Sequence, residues 1–157
     1  MFRHPSLEGR VVIITGGLGR EMALELAEAG ASLVLTAASQ SDAMDETVAA
    51  IAPDRVLAQV ADVTDFAACQ RVVEATEAKF GPADVLVNNA GRGMRLISET
   101  FNTVPRPFWE TDPESWRSII DINVNGVFNM ARALAPGMVA RGFGKIVNIS
   151  TSDQTMV

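Results

Sequence analysis

Tyrosine is absent from the 157 residues, and cysteine and histidine occur once each, as Cys69 and His4. A single cysteine forms no internal disulfide, so a reducing compartment and a cytoplasmic location are expected. One histidine beside the terminus builds no metal site and reads as solvated; no metal is expected. No apolar run approaches the length of a membrane span. The polar stretch 1–10 runs straight into a short apolar strand, which is too short for the apolar core of a signal sequence. Basic clusters longer than a few residues are missing, and the formal net charge is −6. Nucleic acid and anionic membrane are therefore excluded as main partners. Repeats, low-complexity tracts and linkers are missing as well.

What is present is ordinary globular composition, 48% hydrophobic and 20% charged, in a length that suits one domain with a real core. Short apolar runs rich in branched residues read as buried strands: 11–14, 32–35, 55–60 (the weakest), 85–87 and 145–149. Helical patterns alternate with them. Residues 20–29 are strong helix formers closed by Gly30. Thr64 is placed to cap a helix running to Phe80, which Gly81-Pro82 stops. Asp112-Pro113 opens a helix that extends to about Arg141 before Gly142. Such alternation predicts right-handed βαβ units and a parallel sheet. Cys69 shares a helix face with Phe66 and Val73, which makes it a core residue.

Three places carry candidate chemistry. Thr15-Gly16-Gly17-Leu18-Gly19 lies between the first strand and the first helix. There glycine lets backbone approach a pyrophosphate, and the helix N-terminus offers free N–H groups to it. The alternative is a tight turn without a ligand. Next, Asp84 to Val87 ends abruptly in Asn88-Asn89-Ala90-Gly91, at the carboxyl edge where open α/β sheets bind ligands. Finally, Asn123 falls on a helical stripe with Trp116, Ile120, Val127, Leu134 and Met138. A polar amide in such a stripe must be hydrogen-bonded, either in a functional network or to its own helix backbone. Gly126, a poor helix former, points to close packing against a strand.

Asn88-Asn89-Ala90-Gly91 resembles the Asn-Asn-Ala-Gly signature of the short-chain dehydrogenase/reductase family, and the resemblance runs from about Leu7 to the last residue. It implies an α/β Rossmann-type doubly wound parallel sheet with strand order 3-2-1-4-5 and its C-terminal strands missing, in a single incomplete NAD(P)-binding domain over 1–157. It implies NAD(P)-dependent hydride transfer between a nicotinamide and a small alcohol or carbonyl substrate, in a protein that is a homo-oligomer at full length. Thr15, Gly16, Gly17, Leu18 and Gly19 then contact the pyrophosphate. Asp62 and Val63 meet the adenine, although Asp62 also reads as a turn acid. Asn88 ties the central strands together, and Asn89, Ala90 and Gly91 pass beside the adenine ribose. Asn123-Val124-Asn125-Gly126 matches the family's Asn-x-x-Gly, whose asparagine helps hold a water of the proton relay. Thr151 best matches the serine that orients the substrate carbonyl, with Ser152 as the alternative register.

The chain also departs from the pattern. Three residues are missing between the first two glycines, Gly16 and Gly17, so weaker dinucleotide contact is expected. Ala37 stands where the family has a ribose-binding aspartate, and Ala38 where an arginine often accompanies a 2′-phosphate. With the acid gone and Ser39 able to bond a phosphate, the choice between NAD and NADP leans to NADP. The segment 92–109 is longer than the family's usual connection. Its Arg95, Arg106, Phe108 and Trp109 are placed to line a substrate mouth, in a loop either functional or disordered. The family's tyrosine and lysine would lie beyond Val157, as would its sixth and seventh strands. A truncated, inactive chain with an open fifth-strand edge is therefore expected. A non-catalytic nucleotide-binding or interaction module is the alternative.

Overall fold

Side chains alternate across the first strand, and each of its faces meets a different layer of helices. The computed structural model describes residues 6–17, 19–104 and 106–150. Strands β1 (Val11–Thr15), β2 (Ser32–Ala37), β3 (Val56–Val60), β4 (Val85–Asn88) and β5 (Lys145–Asn148) form one parallel sheet in the order β3-β2-β1-β4-β5. The expected strand order and Rossmann-type topology are therefore observed. Helices α1 (Arg20–Glu28), α2 (Asp42–Ala49), α3 (Phe66–Phe80), α4 (Pro113–Ile120) and α5 (Val127–Arg141) connect and cover the strands. On one face, Val11, Ile13, Val34 and Leu86 pack with Cys69 and Val72 of α3 and with Met130, Leu134 and Met138 of α5. On the other, Val12, Ile14, Leu33, Leu35 and Val87 pack with Ala23 of α1 and Met44 of α2. Burial of each large side chain contributes about 1.5–3 kcal/mol, so β1, completely buried, is the centre of the fold.

Several local expectations need correction. Helix α3 is capped by Asp65, whose Oδ1 accepts from the Ala67 N–H at 2.9 Å, and not by Thr64. Thr64 instead donates through both N–H and hydroxyl to Asp62 Oδ1, at 2.9 Å and 2.8 Å. Helix α2 has no counterpart in the sequence expectations. Ser41 caps it and Met44 and Thr47 are its buried residues, too few for an apolar period.

The long helix does begin behind Asp112 and end at Arg141, where Gly142 turns left-handed at φ +65°. Residues Asp121–Gly126 form a π-helical stretch that interrupts it. A π turn inserts an extra residue and rotates all that follows out of phase. The expected stripe is accordingly broken: Trp116 is 55% exposed and Asn123 is also exposed, whereas Gly126, Met130, Leu134 and Met138 face the core. Gly126 does pack closely, against Val63 just after β3; a β-carbon there would collide with that side chain. Strand β5 is exposed along its length among the described residues.

Candidate functional site

The site is built where β1 and β4 end side by side. Thr15 is completely buried, and its hydroxyl accepts from the N–H groups of Asn89 at 3.1 Å and Ala90 at 3.0 Å. Asn89 returns a bond from Nδ2 to the Thr15 carbonyl at 3.0 Å. These bonds stop the β1–β4 ladder in a fixed geometry and turn both chains outward together. Gly16 follows at φ +87°, a conformation that glycine adopts without penalty, and its N–H donates to the Thr36 carbonyl at 2.7 Å. A β-carbon on Gly16 would lie 2.7 Å from the α-carbon of Ala90. Gly19 is less tightly confined, with Ile14 Cγ2 3.0 Å from its notional β-carbon, whereas Gly17 has open space. Helix α1 then starts at Arg20 with no side-chain cap, which leaves its N-terminal N–H groups available to an anion. Leu18 lies outside the described residues, as do Thr151 and Ser152.

A cleft of about 400 Å³ opens along this edge. Gly16, Gly17, Ala90, Gly91 and Arg92 form its centre, Ala37, Ala38 and Ser39 its β2 end, and Asp62 and Val63 its β3 end. The structure therefore gathers Gly16, Gly17, Asp62, Val63, Ala90 and Gly91 into one depression. It places Thr15 and Asn89 behind that surface, as the residues that shape it. Asp62 makes the turn with Thr64 and also lines the cleft. Asn88 is buried and donates from Nδ2 to Asn148 Oδ1 at 2.9 Å, tying β4 to β5.

Asn123 is neither buried in an apolar stripe nor bonded to its own helix. Its Oδ1 accepts from the Arg92 N–H at 2.8 Å and its Nδ2 donates to the Arg92 carbonyl at 2.9 Å. Both ends of the amide thus hold the chain just beyond Gly91, and each keeps one further hydrogen-bonding position. Two further residues were not anticipated. Asn129 donates to the carbonyls of Val63 and Thr64, at 3.0 Å and 3.2 Å, pinning the β3 end of the cleft to α5. Thr36 Oγ1 is buried without a hydrogen-bond partner among the described residues, on the wall between this cleft and a water-sized hollow beside Arg20 and Thr47. A threonine one residue before the end of a buried strand was the available signal.

Beyond Arg92 the chain forms a second, apolar cavity of about 600 Å³, lined by Met94, Ile97, Phe101, Phe108, Pro113 and Trp116, with Arg106 at its wall. Of the four residues expected at a substrate mouth, Arg106 and Phe108 line this cavity. Arg95 and Trp109 are not among its lining residues; Trp109 stacks edge-on against Phe108 at 5.3 Å. No helix among the described residues is long and apolar enough to cross a membrane.

Comparison with known proteins agrees with this geometry. "Short chain dehydrogenase mpl6" of Monascus purpureus is 37% identical over 153 residues, which cover 91% of this chain and 49% of that protein. The acetoacetyl-CoA reductase of Rhizobium meliloti is 36% identical over 146 residues, covering 90% of this chain and 55% of the other. Among solved structures, a 3-ketoacyl-(acyl-carrier-protein) reductase from Brucella melitensis, complexed with NADH, superposes with a TM-score of 0.77 at 33% identity. That match covers 93% of this chain and 59% of that one. The chain spans about half the length of the relatives it matches. The short chain dehydrogenase family model matches residues 10–156, and with the parallel sheet, the glycine turn and the Asn-Asn-Ala-Gly strand end it shows that this chain belongs to that family.

Proposed function

We propose that this chain is the dinucleotide-binding part of an NAD(P)-dependent oxidoreductase acting on a small alcohol or carbonyl compound. The observation that carries the reading is the Gly16 turn, locked against Ala90 with the uncapped N-terminus of α1 behind it. The residues fit a dinucleotide: the turn leaves no room for a β-carbon, and the Thr36 hydroxyl is a buried polar group without a partner at the same wall. In this reading Gly17, Leu18 and Gly19 hold the pyrophosphate through backbone N–H groups. Asp62 and Val63 meet the adenine, and Ala90 and Gly91 lie along the ribose. The bound nicotinamide supplies a hydride acceptor or donor.

NADP is proposed over NAD. Thr36, Ala37, Ala38, Ser39 and Ser41 line the β2 end of the cleft, and none is acidic. A ribose 2′-phosphate there meets no repelling carboxylate, and Arg20 lies on the far side of the Thr36 wall. Asn123 positions the chain at Arg92 and, with the amide positions left over, helps hold a water of the proton relay. Thr151 orients the substrate carbonyl. A polypeptide of these 157 residues alone contains no tyrosine to pass the proton. It is expected to bind cofactor without turning substrate over.

Calorimetric titration tests this: NADP⁺ binds the folded chain more tightly than NAD⁺, and Gly16→Ala abolishes both. Failure of both dinucleotides to bind a chain with a cooperative melt contradicts the reading. Alcohol-dependent reduction of either cofactor by the pure chain contradicts the expectation of no turnover.

A further inference from the structure

We infer that the cavity walled by Met94, Ile97, Phe101, Arg106, Phe108 and Trp116 takes an amphipathic carboxylate: an apolar body of about 10 Å with one acidic group. The inference rests on the reading of the neighbouring cleft as a dinucleotide site and names the class of substrate that site serves.

Its size, about 600 Å³, falls within the range of small-molecule pockets. The wall is aromatic and aliphatic, with Phe108 83% and Trp116 55% exposed. Large apolar groups gathered on a concave surface are what an apolar ligand covers. One side chain of the lining is charged. Arg106 has no ion-pair or hydrogen-bond partner among the described residues, whereas Arg10, Arg55, Arg71 and Arg141 each lie beside a carboxylate. An arginine left unpaired at the rim of an apolar cavity matches a ligand that is apolar along its body and anionic at one end.

Position adds the length. Arg92 lines the dinucleotide cleft and Met94 lines the cavity, so the two sites adjoin. Trp116 on α4 and Asn123 in the π-helical stretch that follows it lie seven residues apart, about 10 Å along the axis. A compound reacting beside Asn123 reaches the Trp116 wall if its body has that length. The segment between is a self-contained structure. The backbone bonds of 93–111 join near neighbours, as in Leu96 to Gly93, Ser98 to Met94 and Val104 to Thr100, and Asn123 holds the chain at Arg92.

Octanoate and its neutral counterpart octanamide test the assignment by calorimetry on the 157-residue chain, with NADP⁺ titrated alongside. Octanoate is expected to bind about threefold to fivefold more tightly than octanamide, the range of an exposed ion pair. Arg106→Gln removes that preference, Arg106→Lys retains it, and neither alters NADP⁺ affinity. Phe101→Ser weakens both ligands alike. Equal affinity for the two compounds, no binding of either, or a preference that survives Arg106→Gln overturns the inference while leaving the dinucleotide reading intact. Octanoate preference without any dinucleotide binding upholds the cavity's selectivity and contradicts the oxidoreductase reading instead.

Discussion

Gly16 and Ala90 meet backbone to backbone: a β-carbon on Gly16 would stand 2.7 Å from the Ala90 α-carbon and 2.9 Å from its nitrogen. The glycine turn and the Asn-Asn-Ala-Gly strand end, 74 positions apart at the Thr15–Asn89 bond, are therefore one mechanical unit. The Thr15 hydroxyl is its rivet.

Gly16→Ala should destabilise the chain by about 3 kcal/mol, because a left-handed alanine costs ~1–2 kcal/mol and the forced contact adds ~1–3 kcal/mol. Gly17→Ala, with nothing within 4 Å of its notional β-carbon, should cost less than about 0.5 kcal/mol. Urea unfolding of the two variants measures the contrast. Equal losses would show that the Ala90 contact is not what demands glycine.

Thr36→Val should leave the free protein as stable as before or slightly more so, since its buried hydroxyl has no partner to lose. Dinucleotide affinity should fall in the same variant. A loss of melting temperature with unchanged affinity would reverse the interpretation of this residue.

Asn123→Ala should release Arg92. Hydrogen exchange at the Arg92 amide is expected to accelerate about fivefold or more, the equivalent of one net hydrogen bond of ~1 kcal/mol. Asn123→Asp keeps the acceptor for that amide and should preserve part of the protection. In a longer chain that carries the tyrosine and lysine, Asn123→Ala should lower turnover more than cofactor affinity. Unchanged Arg92 exchange would contradict the clamp.

Cys69 gives a pH dependence. Burial, then the carboxylates of Asp65 and Asp62, push its thiol up to about 11. The unfolded chain ionises this thiol first, so stability is full below pH ~9 and falls as pH rises toward 11. The loss amounts to about 2 kcal/mol and should vanish in Cys69→Ala. At neutral pH the buried thiol should resist alkylation until the chain unfolds. A stability profile between pH 8 and 11 that is the same with and without Cys69 would argue against this.

Much of the sheet was legible because strands buried on both faces read as short runs of branched residues, as 11–14 and 32–35 do. The glycine turn and Asn88-Asn89-Ala90-Gly91 were legible because each sits at a strand end, where local pattern and topology coincide. Helix α2 was not, since Met44 and Thr47 alone face the core and its start depends on Ser41 rather than on a period. The π-helical stretch defeated the single apolar stripe through Asn123: residues before and after it obey different phases of one helix. Partners distant in sequence were hidden for a related reason. Nothing near Asn129 announces the carbonyls of Val63 and Thr64, 66 and 65 positions away.

Backbone amide mapping by NMR during titration with NADP⁺ tests the central claim most directly. The account predicts the largest shifts at Gly17, Gly19 and Arg20, with further shifts at Ser39, Asp62 and Gly91, and none along β5 or at the exposed Val139 of α5. A folded chain whose Gly17, Gly19 and Arg20 amides stay unmoved at saturating NADP⁺, or whose shifts gather away from this edge of the sheet, would contradict it.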